Sequence, residues 1–211
     1  MLTDLLTAVV FLYVGASLVR GLRRSASSDA RRRMLEIVRG LRVAHFVLAP
    51  VVLLGVAVAI GLLWLIPPLR WGWWTALGGN GNIIFGSTSA TQNTVLEWLV
   101  PAVFIVLLVP ALPLLVEREE IGFRLGAEGW SNGRRFLRGL QFGLLHLIAG
   151  IPIAAALALA VGGWAFTAYY LRWYRKGGSP NRGVLESTRL HLAYDIEVVG
   201  LVAVLFLTGW A

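Results

Sequence analysis

Three short motifs place ionisable side chains at spacings suited to hydrolytic chemistry: Glu119-Glu120-x-x-x-Arg124, Phe142-x-x-x-His146 and His191-x-x-x-Asp195. Carboxylates and imidazoles are the groups that exchange protons with water near neutral pH. Each motif lies in or beside an apolar run, where a charge at the bilayer centre costs about 2.5–3.5 kcal/mol on insertion scales and usually marks function. If a helix continues through the first motif, Glu120 and Arg124 are one turn apart and pair, while Glu119 points about 100° away as the freer base. The alternative is a solvated helix end running from Glu117 to Arg124. Phe142 and His146 share a helical face, with the imidazole among Leu144, Leu145, Leu147 and Ile148. Such an imidazole needs a partner, because an unpaired buried polar group costs about 1–3 kcal/mol; it is either a packed, hydrogen-bonded histidine or a catalytic one. His191 and Asp195 are also one turn apart, as a pair that either holds helices together or takes part in chemistry.

The elements that must position these groups follow from composition. The chain of 211 residues is 57% hydrophobic and 14% charged, with a mean hydropathy of +0.73. That is far from the balance of a soluble domain and describes an integral membrane protein. The fold class expected is all-α, a polytopic transmembrane bundle of about six spans plus an interfacial amphipathic helix, forming one membrane-embedded domain over residues 1–211. Apolar runs place the spans near 2–19, 43–66, 95–116, 137–150, 152–173 and 185–209. Residues 137–173 are too long for one upright helix at 1.5 Å per residue, and Gly150-Ile151-Pro152 is the break, since proline removes a donor and clashes with the preceding turn. The fourth span is short and either tilts or is buried in the bundle. The first lacks a basic leader region and carries Asp4, so it reads as a retained span.

Charge orients this arrangement. Of the 19 Lys and Arg residues, eight lie in 20–42, five in 117–139 and five in 172–189, leaving only Arg70 elsewhere. In a six-span chain these clusters share one side. The positive-inside rule makes that side cytoplasmic, places both termini outside and puts Trp71, Trp73 and Trp74 in the outer interfacial belt before a polar loop at 78–94. The net charge of +8 is therefore read as topology and attraction to anionic lipid, not as a nucleic-acid surface. Between Arg31 and Arg42, the residues Met34, Leu35, Ile37, Val38 and Leu41 recur at helical spacing, as in a helix lying on the inner membrane surface. Cysteine is absent, which excludes disulfides, thiol catalysis and cysteine metal sites.

In order and spacing, the three motifs resemble the EExxxR, FxxxH and HxxxN/D pattern of the CPBP (CAAX protease and bacteriocin-processing, or Abi) family of intramembrane glutamic endopeptidases, over roughly residues 95 to 205. The resemblance implies hydrolysis of a peptide or protein substrate at the membrane, without metal or other cofactor. Glu119 would be the general base for a water held jointly with His146. His191 and Asp195 would stabilise the oxyanion, and Arg124 would position the Glu119–Glu120 pair, with Phe142 in support. CAAX endopeptidases typically carry asparagine where this chain has Asp195, although the wider family admits aspartate. An ionised carboxylate cannot donate to an oxyanion, so Asp195 either works protonated or orients and charges His191.

Other hydrolytic classes lack their residues. A rhomboid-like serine site would use Gly86-Ser87-Thr88-Ser89, which falls in the outer loop, away from His191. An aspartyl intramembrane protease needs a second aspartate in a Gly-x-Gly-Asp setting, and a site-two-type zinc protease needs His-Glu-x-x-His; neither occurs. Three other readings remain open at this stage: an inactive family member serving as a scaffold or self-immunity factor, a zinc protease with ligands among Glu119, His146, His191 and Asp195, and a proton-coupled transporter. The 18-to-1 excess of arginine over lysine hints at a GC-rich prokaryote, a multi-pass protein of its cytoplasmic membrane, and substrates other than prenylated CAAX peptides.

Overall fold

In the computed structural model, the described residues are 27–89 and 91–208, together with 5, 8, 9, 12, 13, 15, 16, 19–21 and 23. The expected first span near 2–19, Asp4 included, falls largely outside them, as does the end of the last span at 209. Among the described residues, six helices of twelve residues or more carry the architecture: α1 (Ser28–Arg39), α2 (Val43–Trp64), α3 (Val95–Arg124), α4 (Asn132–Leu145), α5 (Ile153–Gly177) and α6 (Pro180–Leu207). Among the described residues there is no strand, and Asn80 and Ser87 form an isolated bridge.

Among the described residues, three helices, α2, α3 and α5, are long and apolar enough to cross a membrane. The 22 residues of α2 span about 33 Å at 1.5 Å per residue, close to the hydrocarbon thickness of a bilayer. Its outer face presents Val43, Val47, Val51, Leu54, Val58 and Leu62, each more than half exposed. A stripe of this length would be a liability in water, whereas lipid tails cover it without cost. Prolines at 101, 110 and 113 lie inside α3, as spanning helices tolerate. The 28 residues of α6 are long enough to cross, but the stretch from Arg182 to Glu197 carries Arg182, Glu186, Arg189, His191, Asp195 and Glu197.

Small side chains decide how the bundle closes. Helix α5 buries Ala154, Ala156, Ala158, Ala160, Gly162 and Gly163 and packs against α4, α2 and α6. Across from it, Gly139 and Gly143 bring α4 so close that a Cβ at Gly143 would collide with the carbonyl oxygen of Ala156. This is close backbone approach through small residues, the usual way helices associate where no hydrophobic force separates them from lipid. The chain breaks where expected. Helix α4 ends at Leu145, His146–Ala149 form a 3-10 turn, Gly150 takes a left-handed φ of 78°, and Pro152 caps α5.

The amphipathic helix α1 departs from a purely lipid-facing anchor. Leu35 and Val38 are exposed, but Ile37 is fully buried against Leu112, Val116 and Leu192. Arg33 pairs with Glu117 of α3 at 2.5 Å, and Arg189 of α6 donates to the carbonyls of Glu36 and Ile37 at the helix end. One side of α1 is thus docked on α3 and α6, the two helices that carry the first and third motifs. The loop at 78–94 also departs from a simple external connection: Ile83 is buried and its N–H donates to Ala149 O at 3.3 Å.

Candidate active site

The three motifs converge, because α3, α4 and α6 each turn their ionisable residues inward. Successive residues of α3 are rotated by about 100°, so its acidic run divides among different surroundings. Glu117 meets Arg33, Glu119 keeps 37% of its side chain exposed, and Glu120 is fully buried. One turn on, Arg124 is fully buried too, with Nη1 at 2.8 Å from Oε1 of Glu120. The solvated helix end weighed for this motif therefore does not describe Glu120 and Arg124.

Glu120 is the hub of the polar cluster. Its Oε1 also lies 2.8 Å from His191 Nδ1, and its Oε2 accepts from the Ser187 hydroxyl. The Arg124 guanidinium finds no well-aligned hydrogen-bond acceptor among the described residues, despite the short charge contact. Its plane is covered instead by aromatic rings, with Cζ at 4.3 Å from the centroid of Phe142 and 5.4 Å from that of Phe166. Cation–π attraction of this kind strengthens when the partners are desolvated.

His191 is packed against two aromatic rings and held at Nδ1. Phe166 stacks on it at 4.3 Å, and Phe142 meets it edge-on at 5.5 Å. With Nδ1–H donating to the Glu120 carboxylate, Nε2 is directed at Asp195 Oδ1, 3.6 Å away, and Glu119 Oε2, 3.9 Å away. In the neutral tautomer this nitrogen is an acceptor; in the imidazolium it is a donor.

His146 stands on the 3-10 turn that ends α4, its ring 5.2 Å from Phe142. Its Nδ1 lies 2.9 Å from Phe142 O, which makes Nδ1 the donor and leaves Nε2 as a lone-pair acceptor in the neutral ring. The turn is held by the segment after α2. Trp73 Nε1 donates to Leu147 O, Ile83 N to Ala149 O and Ile153 N to Trp71 O. Glu119 and His146 line one cavity of about 280 Å³, whose other walls include Tyr13, Ile83, Ile84 and Leu145. The site is therefore a carboxylate and an imidazole facing an otherwise apolar pocket, backed by a buried ionic cluster. No family model, no curated protein and no solved structure matches the chain.

All seven residues singled out from the sequence lie in this region: Glu119, Glu120, Arg124, Phe142, His146, His191 and Asp195. Sequence reasoning missed Ser187, although Ser187, His191 and Asp195 recur every fourth residue and so share one face of α6. It also missed Phe166, Ile83 and Ile84, whose sequence surroundings carry no signal for a site. Ser87 is buried within the 78–94 loop, its backbone paired with Asn80, in a small cavity with Trp74 and Thr88. Among the described residues, no group of three or more His, Asp or Glu side chains is arranged to hold a metal ion.

Proposed function

We propose that this chain is an intramembrane endopeptidase of the CPBP type, which hydrolyses a peptide bond of a membrane-associated or lipid-modified substrate using water activated by Glu119 and His146. The observation that carries the reading is the meeting of two acceptors, the Glu119 carboxylate and the free Nε2 side of His146, on one apolar cavity beside His191 and Asp195. A water between them would donate one hydrogen to each and turn a lone pair toward a carbonyl carbon. Glu119 takes the proton as the C–O bond forms and later passes it to the departing amine as the C–N bond breaks. The developing oxyanion needs donors, and His191 and Asp195 stand beside Glu119 to supply them.

In this reading Glu120 and Arg124 have a positioning role. Glu120 orients His191 through Nδ1, and Arg124 balances the buried charge. The bundle has six spans, with α4 the short one and α6 the last; the basic clusters lie on the cytoplasmic side of the cell membrane, and Glu119, within the cluster at 117–139, puts the catalytic base toward that side. The family-like core covers about 95–205 of a single domain.

The test compares membrane-protein fragments in cells producing wild-type or Glu119→Gln protein, followed by cleavage of an identified substrate by detergent-solubilised enzyme. Fragments should appear only with wild type, and cleavage should persist in the presence of chelators. Cleavage by Glu119→Gln at near-normal rate would remove the base. A cellular phenotype retained by a non-cleaving protein would point to a scaffold or self-immunity role, and stoichiometric bound zinc to a metalloprotease.

A further inference from the structure

At the basic end of the bundle, away from the carboxylate–histidine cluster, three cations from three elements surround one indole. Arg42, just before α2, Lys176, near the end of α5, and Arg182, at the start of α6, lie 5.1, 5.0 and 5.2 Å from the Trp173 ring centroid. Their charges are therefore within about a Debye length of one another and repel. Glu186 compensates Arg42 at 2.5 Å. Among the described residues, neither Lys176 nor Arg182 has a carboxylate within ion-pair distance. The Trp173 Nε1 hydrogen is buried and has no acceptor there either. Cation–π contact offsets part of this repulsion, but the unpaired donor and the two uncompensated charges call for an anion.

The neighbouring surface defines what kind. A groove of about 250 Å³ runs between α2 and α5, lined by Val51, Val52, Ala165 and Ala168 and headed by Tyr169 and Arg172. It is open because alanine leaves room that a larger side chain would fill. Tyr169 meets the Trp173 ring edge-on at 6.3 Å, so the polar end of the groove adjoins the cationic cluster. Val52 is ten residues beyond Arg42, about 15 Å along α2. We infer that Trp173, Lys176, Arg182 and Arg172, with the α2–α5 groove, form a specific site for an anionic phospholipid, the phosphate at the indole and one acyl chain along Val52 and Ala168. A zwitterionic headgroup would bring its own cation into this cluster, and inorganic phosphate has nothing to place in the groove. The site does not depend on peptide hydrolysis.

Native mass spectrometry of the full-length protein in detergent, titrated separately with phosphatidylglycerol, phosphatidylcholine and inorganic phosphate, tests this. Phosphatidylglycerol should give a saturable adduct of one molecule, at least about tenfold tighter than phosphatidylcholine, and inorganic phosphate should not displace it at comparable concentration. With about 1 kcal/mol per basic residue near an anionic surface, the Lys176→Gln/Arg182→Gln protein should bind phosphatidylglycerol about thirtyfold more weakly. Ala168→Phe, which fills the groove without touching the charges, should weaken it as well. Equal affinity for the two lipids, displacement by phosphate alone, or unchanged phosphatidylglycerol binding in either folded variant would overturn the assignment.

Discussion

His191 Nδ1 lies 2.8 Å from Glu120 Oε1, and the same oxygen lies 2.8 Å from Nη1 of Arg124. The consequence is a division of labour between adjacent glutamates. Glu120, fully buried and shared by an imidazole, a guanidinium and the Ser187 hydroxyl, holds α3 to α6. Glu119, more than a third exposed and lining the apolar cavity, is the one with access to water.

The two glutamates should therefore respond differently to substitution. Glu120→Ala leaves Arg124 as a buried charge without its counter-ion and should cost about 3–5 kcal/mol of stability. Glu119→Ala should leave thermal unfolding in detergent within about 0.5 kcal/mol of wild type while abolishing cleavage. Equal loss of stability in both variants would contradict the division.

Asp195 discriminates two mechanisms. If it acts as a protonated donor to the oxyanion, Asp195→Asn supplies an N–H of similar shape and activity should stay within about tenfold of wild type. If its charge is what His191 requires, the amide should cost roughly the 2.7–4 kcal/mol of a lost oxyanion contact. We expect the first outcome, because the family that the motifs resemble accepts asparagine here. A hundredfold or greater loss in a folded variant would establish the second.

Gly143 tests how His146 is delivered. A side chain at this position meets the backbone of α5 at Ala156 and Ala160 rather than a movable group. Gly143→Leu should destabilise the protein by about 1–3 kcal/mol or more and, by moving the end of α4, reduce cleavage beyond what the remaining folded fraction explains. Unfolding midpoints and specific activity measured on the same preparation separate the two effects.

Topology is accessible because the chain has no cysteine. Single substitutions at the exposed positions Gly133, Asn181 and Ser89 give clean targets for an impermeant thiol reagent. Gly133→Cys and Asn181→Cys should react only from the cytoplasmic side and Ser89→Cys only from outside. Reaction of Ser89→Cys from the cytoplasm would refute the six-span arrangement.

Much of this molecule is local in origin. Runs of apolar residues longer than a bilayer is thick make α2, α3 and α5 capable of crossing a membrane whatever they pack against, and Gly150 and Pro152 interrupt the chain for backbone reasons alone. The Glu120–Arg124 pairing follows from a spacing of four on one helix. That Glu119 and Glu120 would differ was likewise legible, because adjacent residues of a helix face about 100° apart. The tertiary structure decided what each faces: a cavity for one, the union of His191, Ser187 and Arg124 for the other. It also brought Phe166 from α5 onto His191, drew Ile83 from an apparently external loop to the turn that carries His146, and docked Ile37 of α1 behind the acidic motif. None of these contacts has a periodic signature, because each joins residues far apart in the chain. They depend on how closely helices approach, which for α4 and α5 is set by their facing glycines and alanines and is a property of two helices together and of neither alone.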